Sequence, residues 1–72
     1  MSWQRSKKGN LWRKAGRLTV SVFQRKDESF GWCIADHEGP QYSKDDWPSE
    51  QEAVRAAEWE VERREIAIEA LL

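Results

Sequence analysis

The amino-acid sequence predicts an α+β protein in which a three-stranded antiparallel β-meander packs against one long C-terminal α-helix (βββα). Residues 17–25 and 30–36 alternate large apolar side chains with polar or small ones, the period of two that is typical of strands. From residue 49 onward the apolar residues recur at helical spacing instead. A chain of 72 residues has room for one domain, which we expect to span residues 11–72.

The two alternating segments are expected to form an antiparallel hairpin whose register decides where the apolar side chains lie. A loop with an odd number of residues pairs Val22 with Trp32 and Val20 with Ile34, and gathers the large apolar groups on one face. A loop with an even number separates them, because a shift of one residue reverses every side chain of a strand. We therefore predict the odd register, with a second face of small residues around Phe23.

A third, edge-like strand is predicted around Tyr42, followed by the helix. Ser49 is suited to accept from a backbone N–H of the first helical turn, and Glu52 is placed to reach back to the Ser49 N–H as in a capping box. The helix face that covers the sheet is predicted to carry Ala53, Val54, Ala57, Val61, Ile68, Leu71 and Leu72. The predicted core comprises Val20, Val22, Trp32, Ile34, Val54, Ala57 and Val61.

The N-terminal residues 1–10 are basic and aperiodic, so we expect a disordered basic arm there. The segment Leu11–Arg13 either forms a short lead-in strand or tethers Trp12 beneath the edge of the domain. No pattern in the sequence decides between these two alternatives.

Charge is divided along the chain although the net charge is only −1. Residues 1–26 carry eight Lys or Arg and no acid, whereas residues 27–72 carry thirteen Asp or Glu against four Lys or Arg. This division predicts either a charged partner or two halves that neutralise each other in the fold.

Cys33 is the only cysteine, and no apolar run is long enough for a membrane span, so we predict a cytoplasmic protein without a membrane association.

Catalysis is not expected. His37 is the only histidine, and no motif places a nucleophile beside it. Cys33 has no basic neighbour in sequence that would activate its thiol. Asp45 and Asp46 are too few to hold a metal ion firmly, and no glycine-rich phosphate loop is present. We predict a non-enzymatic protein without a metal or another cofactor.

Protein binding is the function that uses most of the unusual residues. Trp59, Ile66 and Ala70 lie together on the helix, away from the stripe that faces the sheet, and Phe23 lies on the small-residue face of the hairpin. Exposed apolar patches of this kind mark protein interfaces, although isolated exposed apolar residues are also normal. We therefore predict a protein-interaction module whose partner is another protein or a second copy of the chain. In its small size and tryptophan content the chain resembles the accessory proteins of phages and mobile elements, which bind a host component.

Nucleic-acid binding is the alternative, because aromatic side chains in the N-terminal half are interleaved with basic ones. The candidate contacts are Arg5, Lys7, Lys8, Trp12, Arg13, Lys14, Arg17 and Arg25. Trp32 and the segment from Ser49 to Ala53 resemble the three-strand-plus-helix DNA-binding domain of AP2 proteins and phage tyrosine recombinases. That resemblance implies DNA binding, but two features depart from the pattern: strand two is not basic, and the acidic helix would repel a duplex that approached it.

Overall fold

The computed structural model describes residues 3–71 and the side chains of residues 3–64. In chain order its elements are β1 (Gln4–Arg5), β2 (Leu11–Ala15), β3 (Leu18–Gln24), β4 (Phe30–Asp36), β5 (Gly39–Tyr42) and α1 (Glu50–Leu71). The α+β class is confirmed. The predicted number of strands is wrong, because the sheet has five strands rather than three.

The five strands form one antiparallel sheet in the order of the sequence, and α1 packs on one face of it against β3 and β4. The register predicted for the central hairpin is confirmed, since Val20 pairs with Ile34 and Val22 with Trp32. Apart from Phe23, the large apolar side chains of both strands therefore share one face, which α1 covers.

The N-terminal segment differs from the disordered arm that we expected over residues 1–10. Gln4 and Arg5 form β1 and pair with β2, and Trp3 packs against the core. The Trp3 indole Nε1 donates to Glu58 Oε1 at 2.8 Å, and the Arg5 guanidinium pairs with Glu50 at 2.9 Å. This strap, defined here as residues 3–10, is held by contacts with α1 that lie more than 40 residues away in sequence. Met1 and Ser2 lie outside the described residues.

The strand alternative predicted for Leu11–Arg13 is the one that the structure adopts, extended to Ala15. The helix begins at Glu50, directly after the predicted cap. Ser49 Oγ accepts from the Glu52 N–H at 3.2 Å, as expected. The second half of the capping box differs from the prediction, because the Glu52 carboxylate accepts from the Ser49 hydroxyl at 3.0 Å rather than from its backbone N–H.

The core lies between α1 and the central strands. Its buried residues are Ala15, Leu18, Val20, Val22, Ile34, Ala53, Ala57 and Val61. Five of the seven residues predicted for the core are among them, whereas Trp32 and Val54 pack against the cluster while remaining half-buried. Of the predicted helix stripe, the side chains of Ile68, Leu71 and Leu72 lie outside the described residues. No helix in the described chain is both long and apolar enough to cross a membrane.

Candidate functional site

The sheet face opposite α1 is the candidate site, because no described residue packs over it as a second layer. Strand alternation places on it the transverse row Gln4, Trp12, Ser21, Cys33 and Tyr42, whose members pair successively from β1 to β5. The next row along the strands holds Phe23 and Gly31. We call this surface the open face. An uncovered face of an antiparallel sheet is normally polar, whereas this one carries three aromatic residues.

The centre of the open face is a shallow groove. Its volume is about 410 Å³, and it is lined by Asn10, Ser21, Phe23, Gln24, Cys33 and Tyr42. The groove exists because Ser21 and Cys33, paired across the two central strands, are small, while Tyr42 beside them is large. Trp12 pairs with Ser21 on the other side of the row. An apolar group that entered the groove would therefore meet an aromatic wall and a floor without charge.

The aromatic side chains of the open face are held in defined positions. The rings of Phe23 and Tyr42 meet edge to face, with centroids 6.0 Å apart and planes at 81°. The Arg25 guanidinium lies over the Phe23 ring, 5.2 Å from its centroid. Both arrangements are favourable for aromatic rings. Tyr42 nevertheless remains 61% exposed, which leaves most of its surface available to a partner.

Arg25 is fixed by contacts with the segment that leads into α1. Its Nη2 donates to the Ser43 carbonyl at 3.0 Å and to the Ser43 hydroxyl at 3.2 Å, and its Nε pairs with the Asp46 carboxylate. The side chain crosses directly above Gly31, where an added Cβ would lie 2.7–3.0 Å from the guanidinium. Glycine at position 31 is therefore the residue that lets Arg25 lie flat on the sheet.

Cys33 is the groove residue with a perturbed proton affinity. Burial raises the pKa of the Cys33 thiol, an effect that the nearby Ser21 and Tyr42 side chains partly offset. A raised pKa keeps the thiol protonated at neutral pH, so Cys33 behaves as a small apolar group in the floor of the groove.

The residues proposed for nucleic-acid binding do not form one surface. Arg5 pairs with Glu50 of α1, and Arg13 lies on the helix side of β2, with its guanidinium 5.9 Å from the Trp3 ring centroid. Arg25 pairs with Asp46. The structure therefore neutralises part of the basic half internally, which was one of the two outcomes that the charge division predicted.

The other four basic residues of that set surround β2. Lys7 and Lys8 lie in the turn before the strand, Lys14 lies on the open face, and Arg17 lies in the turn after the strand. All four are exposed, and none forms an ion pair within residues 3–64. We call these four residues the β2 flank. It is a basic border along the Trp12 side of the open face.

The helix patch predicted for protein binding is described only in part. Trp59 is 61% exposed, and the Arg63 guanidinium lies 4.8 Å from its ring centroid. The side chains of Ile66 and Ala70 lie outside the described residues. Phe23, the remaining residue of that prediction, is on the opposite side of the molecule, so Trp59 and Phe23 belong to two separate surfaces.

No cluster of metal-binding side chains is present among the described residues. His37 lies in the exposed turn between β4 and β5, where its only ion-pair contact among the described residues is with Glu38 at 3.7 Å. Comparison of the chain with protein-family models, with curated proteins and with solved structures finds no match. The open face itself is therefore the feature from which a function can be inferred.

The alternation in the sequence predicts Phe23 and the small residues on this face, but Trp12 and Tyr42 were not predicted to lie there. The position of Tyr42 was predictable, because a third strand that pairs with β4 places one of its residues beside Cys33 on this face. The signal for Trp12 was weaker, because it depends on β2 pairing with β3 in the observed register.

Proposed function

We propose that the protein is a small non-enzymatic protein-interaction module that binds its partner through the open face of the sheet. The observation that carries this proposal is the aromatic surface of the open face, formed by the exposed Tyr42 and the half-buried Phe23 and Trp12 around a groove of small residues. Aromatic residues are enriched in interfaces because they bury a large area with few rotatable bonds. The fold is complete without a contribution from these side chains to the core between sheet and helix.

Binding at the sheet edge is less favourable than binding on its face. The Ser43 N–H donates to the Trp32 carbonyl, so Ser43 and every second residue before it direct their backbone groups towards β4. The residues between them direct theirs away from β4. Pro40 occupies one of these outward positions and has no N–H to donate. The opposite edge strand, β1, has two residues only. A partner therefore gains more from the open face than from strand addition.

The matched test uses two aromatic residues with equal exposure. Tyr42 and Trp59 are both 61% exposed, the first on the open face and the second on the helix. Partners are captured from nuclease-treated and untreated cytoplasmic lysate, and their affinity for purified variants is then measured. We expect retention after nuclease treatment. We expect Tyr42→Ala to weaken binding by at least tenfold, or about 1.4 kcal/mol, and Trp59→Ala to leave it unchanged.

The opposite pattern, with a loss for Trp59→Ala only, would assign the interface to the helix. Loss of the captured material on nuclease treatment would favour the nucleic-acid alternative, for which the exposed β2 flank is the supporting observation. Sedimentation of the purified chain tests whether the partner is a second copy. We also propose a cytoplasmic location. We propose a phage or mobile element as the source, because the chain resembles the accessory proteins of such elements in its small size and tryptophan content.

A further inference from the structure

We infer that the open face binds an acidic peptide segment that inserts one large apolar side chain into the groove. This inference rests on the proposed function and adds the chemistry of the partner. Two independent observations support it: the size and lining of the groove, and the charge of its border.

The groove has the dimensions of a side-chain pocket. Its volume of about 410 Å³ is near the lower end of the ~300–1,000 Å³ range of ligand pockets. Ser21 and Cys33 form a floor without charge, and Tyr42 provides an aromatic wall. An aliphatic or aromatic side chain would be removed from water there without the burial of an unpaired charge, which is the costly alternative.

The border of the groove selects the charge of the partner. The β2 flank contributes four exposed cations, and the strand positions of the open face carry no acidic residue within β1–β5. Asp36 is the only acidic residue in these strands, and alternation with Ile34 places it on the helix side. The two helix acids in contact with the strap are already bonded there, Glu50 to Arg5 and Glu58 to Trp3. Asp or Glu beside the apolar anchor is therefore attracted to the flank.

An acidic peptide fits this surface better than a nucleic acid does. Arginine is the residue best suited to bind phosphate in two-point contacts. Arg5 and Arg25 are already paired with carboxylates, and the β2 flank contains one arginine, Arg17, beside three lysines. One face of the Phe23 ring is covered by the Arg25 guanidinium, and the ring also meets Tyr42 at right angles. Stacking of successive bases requires open aromatic faces. The lysines of the β2 flank attract carboxylates, and this attraction requires neither a two-point contact nor an open aromatic face.

The experiment selects short peptides from a random displayed library on the immobilised wild-type chain. Enriched peptides are synthesised with a fluorescent label, and their affinity is measured by anisotropy at low and high salt. We expect enrichment of Asp and Glu next to one Leu, Ile, Phe or Trp. Affinity should fall with added salt.

Two double variants provide the charge test. Lys14→Glu with Arg17→Glu should weaken peptide binding at least tenfold and remove most of its salt dependence. Arg55→Glu with Arg63→Glu changes the net charge equally at exposed positions of α1, on the other side of the sheet, and should have little effect. Circular dichroism establishes that each variant is folded.

The outcomes separate this inference from the proposed function. The inference would be overturned if the selected peptides lose binding to the Tyr42→Ala variant but lack acidic residues, or if they bind both double variants equally. In either case the open face would still be the interface. Selected peptides that are insensitive to Tyr42→Ala, or a failure to select any, would overturn both. Tighter binding of a labelled oligothymidylate than of any selected peptide, lost with Tyr42→Ala, would replace the peptide with a nucleic acid.

Discussion

Substitution of Gly31 tests whether the open face depends on the position of Arg25. In the wild type, an alanine Cβ at position 31 would lie 2.7–3.0 Å from three atoms of the guanidinium, closer than van der Waals contact allows. The flexible Arg25 side chain is expected to move away rather than the backbone. It would then lose its contacts with Ser43 and Asp46 and its position over Phe23.

The expected magnitude follows from these contacts. Two hydrogen bonds to Ser43 contribute roughly 0.5–1.5 kcal/mol each. The ion pair with Asp46 is partly exposed, with 31% and 44% of the two side chains accessible, so it adds less than about 1 kcal/mol. Replacing glycine by alanine stabilises by about 0.4–1 kcal/mol through the unfolded chain. We therefore expect Gly31→Ala to cost about 1 kcal/mol in the wild type.

The sign should reverse when Arg25 is absent. In an Arg25→Ala background nothing obstructs the new methyl group, so Gly31→Ala should stabilise by about 0.5 kcal/mol. Urea unfolding followed by tryptophan fluorescence provides the four free energies of the double-mutant cycle. A coupling energy of about 1.5 kcal/mol is expected. If Gly31→Ala had the same effect in both backgrounds, Arg25 would not occupy the space above Gly31, and the described arrangement of the open face would be refuted.

Two further predictions concern the strap and the groove. Trp3→Ala should lower the free energy of unfolding by about 1–3 kcal/mol, because Trp3 packs against the core and donates a hydrogen bond to Glu58. Trp59→Ala, measured in the same denaturation assay, should lower it by less than about 1 kcal/mol. Equal effects of the two substitutions would contradict the packing of the strap. Cys33 should react slowly with iodoacetamide at pH 7 compared with the unfolded chain and faster as the pH rises, because burial raises its thiol pKa and the thiolate is the nucleophile. A partner on the open face should slow this reaction further, and unchanged labelling in the complex, followed by mass spectrometry, would place the partner elsewhere.

The central hairpin and the helix start were predictable because their signals are local. Alternation over β3 and β4 determines which side chains share a face, and the requirement that Val22 and Trp32 lie together selects the register. Ser49 and Glu52 mark the helix start through their own hydrogen bonds. These features depend on residues that are close in sequence or repeat with a fixed period.

The strap and the charge arrangement were not predictable, because their contacts join residues that are far apart in the sequence. β1 consists of two polar residues, and Trp3 is held by a residue 55 positions away. No local pattern indicates that Arg5 pairs with Glu50 or that Arg25 lies above Gly31. The expectation that the acidic helix would repel a nucleic acid also assumed an approach from the helix side. With the helix on one face and Tyr42 on the other, that repulsion does not decide between partners of the open face.

The sequential order of the strands has a consequence for how the chain folds. Hairpins between neighbouring strands close short loops, whereas contacts between distant residues lose more chain entropy before they form. The strap contacts span 45 and 55 residues, from Arg5 to Glu50 and from Trp3 to Glu58. We therefore expect the β2–β4 meander to form early, the helix to dock on it, and the strap to close last. Local opening should then begin at the strap, so that amide protons there exchange with solvent long before those of β3 and β4.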